Sequence, residues 1–225
     1  MYKISVIIPA YNEEKYISKT IESLYKNTIP FELIIICDSC NDQTKNISEK
    51  YTDLVFDVNF KNVAKSRNFG FSKSSGDILV FLDADTIVSD NYLHEILKMF
   101  EVYDMGCSRW ISESATILGR YIVWLTNRYN KKNIGGNFFI KREMFEKLKG
   151  FNENMKRGED TDIGERARIL GASHLFMKKC FIIPSERRYR ESGYIYMIIW
   201  SGIRGFVYKY FRDYYNKKIG NKFYE

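Results

Sequence analysis

The first hundred residues alternate between short continuous apolar runs and segments whose apolar residues recur at helical spacing. The runs, which are typical of strands buried in a parallel sheet, are Ile4–Ile8, Leu33–Ile36, Leu54–Phe56 and Ile78–Leu82. Helical spacing lies between them, at Ile17, Ile21 and Leu24 and over residues 42–51 and 62–73. This alternation predicts an α/β fold with a mostly parallel central sheet flanked by helices.

The second half of the chain has a less regular pattern. It predicts helices over residues 91–103, 115–130 and 161–170, and strands over residues 138–140 and 179–183. No stretch rich in Pro, Gly or Ser separates two parts of the chain, which favours one domain over two. We therefore expect a single domain over residues 1–190, followed by a basic, aromatic helical tail over residues 191–225.

Composition and charge narrow the class of protein. With 45% hydrophobic residues, three prolines and four cysteines, the chain is neither disordered, collagen-like nor a disulfide scaffold. Its N-terminus lacks the features of a signal peptide, so we expect a cytoplasmic location. The net charge of +7 is divided into −3 over residues 1–100 and +10 over residues 101–225. Either the basic half binds phosphates or an anionic membrane, or its lysines are ordinary solvated surface residues. The sequence contains no nucleic-acid-binding motif, so we expect no nucleic-acid partner.

Candidate chemistry follows the predicted strands. Tyr11 follows the first strand, Asp38 the second, and Asp83 and Asp85 the run Ile78–Leu82. In open α/β sheets, ligands bind beyond the carboxyl ends of the strands, so these side chains should share one edge. An Asp-x-Asp turn offers hard oxygen ligands for Mg²⁺ or Mn²⁺ shared with a diphosphate, although Asp also commonly caps turns and helices.

The Asp-x-Asp turn is one of six segments that occur in order. They are VIIPAYNEEKYI, Asp38 within CDSCNDQT, AKSRNFGF, FLDADT, GGNFFIKREMFEKLKGF and GEDTDIGERARILG. Together they resemble the inverting family 2 glycosyltransferases of the GT-A fold, over residues 3–184. The chain departs from that family's pattern at three places. Where the family usually has a pair of aspartates, this chain has Cys37-Asp38, and where Gly-Ser usually follows, it has Ser39-Cys40. Where many members have a metal-binding His after the last strand, this chain has Ser185-Glu186-Arg187-Arg188.

The resemblance implies a metal-dependent enzyme that moves a sugar from a nucleotide-diphosphate sugar to an acceptor. Asp160 matches the catalytic base, beside Glu159, with Asp162 as the competing candidate. Asp85, with Asp83, would hold Mg²⁺ or Mn²⁺. The residues implied to bind the nucleotide sugar are Pro9, Tyr11, Glu13, Asp38, Arg67, Asp83, Ala84, Gly135, Gly136 and Asn137.

Two features lie outside that pattern. Arg187 and Arg188 stand where the missing His would be, and either they bind the leaving diphosphate or they form a solvated patch.

The tail beyond Ser192 is aromatic and basic, and its uncharged stretch is too short to span a bilayer. This composition is typical of a helix that lies in the membrane interface. Such a helix would place the enzyme on the inner face of the membrane, where a lipid-linked acceptor would be within reach. Packing on the domain, or a homodimer contact, is the alternative.

Other classes of function remain open from the residues alone. A nucleotidyltransferase would share the sheet topology, but usually has a Gly-rich loop after the first strand. A sugar-nucleotide-binding protein without activity would share the binding residues. Cys37-x-x-Cys40 has the spacing of a redox motif, but it lies within the predicted nucleotide-binding loop.

Overall fold

The sheet contains eight strands that run in the order β3-β2-β1-β4-β7-β6-β8-β5. The structure, a computed structural model, describes residues 2–114, 116–130, 137–155 and 157–193. The strands are β1 (Ile4–Ala10), β2 (Phe31–Asp38), β3 (Val55–Val58), β4 (Ile78–Phe81), β5 (Thr86–Val88), β6 (Met105–Trp110), β7 (Phe138–Lys141) and β8 (His174–Pro184).

Helices lie between these strands and cover the sheet. They are α1 (Ile17–Tyr25), α2 (Thr44–Ser48), α3 (Val63–Lys73), α4 (Tyr92–Met99), α5 (Ile117–Asn130), α6 (Arg142–Lys147), α7 (Glu159–Ile169) and α8 (Arg187–Ser192). No helix within the described ranges is long and apolar enough to cross a bilayer.

The first four strands form a parallel unit with β1 at its centre. β1 pairs in parallel with both β2 and β4, and β2 pairs in parallel with β3. β7 is inserted antiparallel between β4 and β6, and β8 pairs in parallel with β6. The α/β prediction is confirmed, and the loops that follow β1, β2 and β4 meet at one edge of the sheet.

Each central strand is buried on both faces, which explains its continuous apolar sequence. Val6 and Ile8 of β1 pack in the core layer that contains α1 and α4, whereas Ile7 packs in the layer under α3 and α7. Gly70 of α3 lies directly against Ile7, so a Cβ at this position would clash with it. The absence of that Cβ lets α3 lie close to β1, and α3 carries Arg67.

Several elements differ from the sequence predictions. β1 continues through Pro9 to Ala10, because Pro9 lies in register with Ile36 of the neighbouring strand. β6 was not predicted, since its sequence MGCSRW lacks an apolar run. The short strand β5 and the helices α6 and α8 were also not predicted. The predicted domain boundary at residues 190 and 191 lies inside α8, and the tail beyond residue 193 lies outside the described residues.

Candidate active site

The Asp-Ala-Asp turn after β4 presents two carboxylates at the sheet edge. The side chain of Ala84 is buried in the core, and its carbonyl oxygen accepts a hydrogen bond of 2.8 Å from the Thr20 hydroxyl. On either side of the buried Ala84, the side chain of Asp83 is 40% exposed and that of Asp85 is 21% exposed. Ala84 therefore positions the turn, and its side chain does not line the site.

A buried guanidinium joins that turn to α7. Arg67, whose side chain is only 3% exposed, donates from Nη1 to Glu159 at 2.6 Å and from Nη2 to Asp83 at 2.9 Å. Its guanidinium carbon also lies 5.5 Å from the centre of the Phe151 ring. Burial would lower the pKa of Arg67, but Glu159, Asp83 and Asp160 together raise it, so the side chain stays charged.

Asn137 holds Asp83 from the opposite side. Its Oδ1 accepts a hydrogen bond of 2.7 Å from the backbone N–H of Asp83, and its Nδ2 donates to Asp83 Oδ2 at 3.3 Å. Asn137 is itself buried, directly before β7. Gly135 and Gly136, which precede it, lie outside the described residues.

The N-terminus of α7 carries the predicted catalytic base. Gly158 precedes the helix with a φ of +74°, a conformation that glycine adopts without strain, and Glu159 and Asp160 form the first turn. Asp160 is half-buried, and its Oδ1 accepts a hydrogen bond from the N–H of Thr161 at 2.7 Å. Burial and the neighbouring Glu159 charge raise the pKa of Asp160 to about 7, against the opposing effect of Arg67. A carboxyl group with this pKa can accept a proton at neutral pH.

Asp162, the competing candidate, has a different environment. Its Oδ2 accepts a hydrogen bond of 2.8 Å from Arg166, one helical turn later, and its side chain is buried. Arg166 also donates to the carbonyl oxygens of Leu148 and Gly150. Asp162 therefore ties α7 to the loop that follows α6.

Arg187 lies on the other side of the Asp-Ala-Asp turn. Its guanidinium donates to both carboxylate oxygens of Glu13, at 2.9 and 3.2 Å, and lies 4.7 Å from the centre of the Tyr16 ring. Nη2 is 3.8 Å from Asp85 Oδ2. The hydrogen bonds with Glu13 raise the pKa of Arg187 despite its partial burial. Arg188 also lies in α8, but its side chain lies outside the described residues.

Asp38 has a task that the sequence did not predict. Its carboxylate accepts hydrogen bonds from the backbone N–H groups of three consecutive residues and from two hydroxyl groups; the donors are Phe60, Lys61, Asn62, Ser39 and Ser66. Because both oxygens are engaged, Asp38 fixes the loop that leads into α3. Any contact with a nucleotide would compete with these five hydrogen bonds.

The remaining predicted residues border the same edge. Pro9 is the penultimate residue of β1, and Tyr11, just after the strand, is 44% exposed, as a ring must be to stack on a base. The Cys40 thiol donates to the carbonyl of Ala10 at 3.4 Å. A hydrogen bond with Cys40, together with burial, raises the pKa of the Cys37 thiol.

The carboxylates fit a divalent cation only if a second molecule supplies ligands. Among the described residues, no three Asp, Glu, His or Cys side chains are arranged to hold a metal ion. Asp85 and Asp83 provide hard oxygen atoms on one turn, and Mg²⁺ is commonly bound by one or two carboxylates together with substrate phosphates. The donor set therefore fits a cation that enters with a diphosphate.

Comparison with known proteins identifies the family to which the sequence is similar. The profile of the family described as glycosyl transferase family 2 matches residues 5–153. The minor teichoic acid biosynthesis protein GgaB of Bacillus subtilis is 27% identical over 85% of this chain, but the match covers only 23% of GgaB. The chain therefore spans about a quarter of this curated relative.

Two solved structures share the fold. The structure of Staphylococcus aureus TarS 1–349 in complex with UDP-GlcNAc has a TM-score of 0.67 and 22% identity, over 82% of this chain and 59% of that chain. The mannosyltransferase PcManGT from Pyrobaculum calidifontis, in complex with GDP-Man and Mn²⁺, has a TM-score of 0.66 and 18% identity, over 81% and 56%. The GT-A fold that the resemblance implied is confirmed.

Sequence reasoning missed the pairs that assemble the site. The bridge between Glu13 and Arg187 joins residues 174 positions apart, and the contact of Arg67 with Glu159 joins residues 92 apart. No local pattern marks either pair. Tyr16 directly precedes α1, whereas Thr20 and Ser66 lie at ordinary helical positions, and all three were missed because each acquires its partner only in the folded protein.

The raised pKa of Asp160 predicts a measurable effect on stability. In the unfolded chain an Asp titrates near a pKa of about 3.9, so between about pH 4 and pH 7 the folded state binds the proton more tightly. The contribution of Asp160 to stability therefore falls as pH rises through this window. Asp160→Asn should abolish that fall and raise the free energy of unfolding at pH 8, by up to about 4 kcal/mol.

Urea unfolding of the wild type and the variant at pH 4, 5.5 and 8 measures this effect. Asp162→Asn is the matched control, since it removes the negative charge that pairs with Arg166 and should destabilise the protein at pH 8. A loss of stability at pH 8 in Asp160→Asn would contradict a raised pKa at this position.

Proposed function

The chain belongs to glycosyl transferase family 2, and from that membership and the site geometry we propose that it is an inverting enzyme. It would transfer a sugar from a nucleotide-diphosphate sugar to an acceptor hydroxyl. The observation that carries this proposal is the arrangement of Arg67, Asp83, Glu159 and Asp160, which places a carboxyl of raised pKa beside a fixed ion pair. The family resemblance, and not this geometry, supports inversion.

Asp160 is the proposed general base. The acceptor oxygen attacks the anomeric carbon, the bond from that carbon to the diphosphate breaks, and the acceptor proton passes to Asp160. Glu159 raises the pKa of this base through its charge, while its own carboxylate is held by Arg67. The pairing of Asp162 with Arg166 favours Asp160 over Asp162 for this role.

The donor would bind along the edge formed by the loops after β1, β2 and β4. Tyr11 would stack on the base, with Glu13 in the same loop after β1, and with Pro9 and Asp38 at the carboxyl ends of β1 and β2. Arg67 and Asn137 fix Asp83 in a position to contact the ribose or the sugar. Gly135 and Gly136 are proposed to allow close approach of the backbone to the sugar.

Asp85, with Asp83, would hold Mg²⁺ or Mn²⁺, which would neutralise charge on the departing diphosphate. Arg187 is 3.8 Å from Asp85 and keeps its charge at any working pH, so it is placed to contribute a second positive group. Glu13 and Tyr16 orient it, and Arg188 is the neighbouring candidate.

The names of the relatives suggest the class of substrate. TarS is a poly(ribitol-phosphate) β-N-acetylglucosaminyltransferase solved with UDP-GlcNAc, and GgaB acts in minor teichoic acid biosynthesis. We therefore propose a UDP-sugar as donor and a phosphate-bearing polyol or lipid-linked glycan as acceptor. The basic, aromatic tail from residue 194 onward is consistent with an enzyme that acts at the inner face of the membrane.

Substitution of the two candidate bases tests the mechanism. Asp160→Asn preserves shape but removes the proton acceptor, so the rate of UDP release should fall about 10²–10⁴-fold while donor affinity is retained. Asp162→Asn should retain most of its activity once corrected for the folded fraction. Loss of turnover in Asp162→Asn but not in Asp160→Asn would reverse the assignment. Donor binding by a wild type that never releases UDP would favour a binding protein without activity.

Metal dependence is tested through donor affinity. Calorimetric titration of UDP-sugars, with Mn²⁺ and then with EDTA, should show tighter binding with the metal ion, and Asp85→Ala should remove that difference. Asp90→Ala changes an exposed carboxylate five residues later and is the matched control. Equal affinity of the wild type with Mn²⁺ and with EDTA would contradict the proposal.

A further inference from the structure

The outward side of α5 is apolar and aromatic, although nothing among the described residues covers it. Ile117, Tyr121, Trp124 and Arg128 are spaced so that they form one stripe along the helix, which we call the α5 outer face. Ile117 is 86% exposed, Tyr121 50% and Trp124 54%. The opposite side packs on the domain through residues such as Ile122, which is buried.

The outer face is held in a fixed direction. Asn127 accepts a hydrogen bond of 2.7 Å from the N–H of Trp110 in β6 and donates one of 2.9 Å to its carbonyl oxygen. Before α5, Ser112 and Ser114 donate to the buried carboxylate of Glu186, which lies next to α8. These hydrogen bonds tie α5 to β6 and tie the segment before it to Glu186, so that the apolar side of the helix faces outward.

On the α5 outer face, aromatic rings lie beside positively charged side chains. The rings of Tyr121 and Trp124 stack with their centres 5.9 Å apart, and the Arg128 guanidinium lies 5.8 Å from the centre of the Trp124 ring. Arg120 adds a second exposed cation beside the stripe. From residue 115 to residue 142 the sequence contains no Asp or Glu. The charged side chains that α5 itself carries are therefore all cationic, whereas the nearest exposed carboxylate before the helix, Glu113, pairs with Arg190.

We propose that the α5 outer face docks the domain on the surface of an anionic lipid bilayer. Tyr and Trp prefer the membrane interface, Ile117 and Leu118 would enter the acyl boundary, and Arg120 and Arg128 would contact lipid phosphates. This docking surface is distinct from the tail and does not depend on the proposed transfer reaction.

Charge argues against the other occupants. From residue 204 onward the chain has six Lys or Arg against two Asp or Glu, so this part of the segment would bring like charge to Arg120 and Arg128. A second copy that paired its own α5 outer face would also oppose arginine with arginine. An anionic lipid surface complements both the rings and the cations.

Vesicle sedimentation of the full chain tests the proposal. Vesicles of phosphatidylcholine with about one third phosphatidylglycerol should bind the wild type, and vesicles of phosphatidylcholine alone should bind it much more weakly. The double variant Tyr121→Gln/Trp124→Gln should weaken binding about tenfold or more. Arg120→Gln/Arg128→Gln should weaken binding by a similar factor at low salt, and by less as salt rises.

Ile169→Gln/Leu170→Gln is the matched control, since it changes two equally exposed apolar residues at the end of α7 and should leave binding unchanged. Melting temperature and UDP-sugar binding show that each variant is folded. The proposal is overturned if the wild type binds no vesicle, or if both α5 variants sediment as the wild type does. It is also overturned if the α5 variants change only the oligomeric state, which would identify a second copy as the occupant.

Discussion

The site depends on a single buried cation. Removing a guanidinium from water is costly unless anions and hydrogen bonds compensate, and Arg67 is compensated by Asp83 at one end and Glu159 at the other. Because these partners come from the turn after β4 and the first turn of α7, their pairing fixes two distant parts of the chain against α3. Gly70, one turn after Arg67, lets α3 approach the sheet closely enough for this contact.

The same network sets the chemistry of its neighbour. Burial, which has the largest effect, and the charge of Glu159 raise the pKa of Asp160, whereas Arg67 lowers it. The folded state therefore keeps a carboxyl group that would be more stable if it were protonated or absent at neutral pH. Such a cost to stability is what a proton acceptor tuned towards pH 7 requires. Arg187 forms a second, more open set of ion pairs, with Glu13 at 2.9 Å and with Asp85 at 3.8 Å.

The parts of this architecture that local sequence determines were predicted. The apolar runs of β1, β2 and β4 reflect burial on both faces, and the ordered motifs placed Asp83, Asp85 and Asp160 in one family pattern. β6 was missed because Gly, Ser and Arg interrupt its sequence and leave no apolar run. The engagement of Asp38 by five donors was missed because three of them are backbone groups of a loop that the sequence does not distinguish.

The pH dependence of UDP release from a UDP-sugar, in wild type and in Glu159→Gln, tests the central claim most directly. The account predicts that the wild-type rate rises with pH through an apparent pKa of about 7. Glu159→Gln should move that midpoint to lower pH, because it removes the negative neighbour and leaves Arg67 to stabilise the Asp160 carboxylate. A midpoint that stays in place in the variant, or a wild-type rate already at its plateau at about pH 5, would contradict the account.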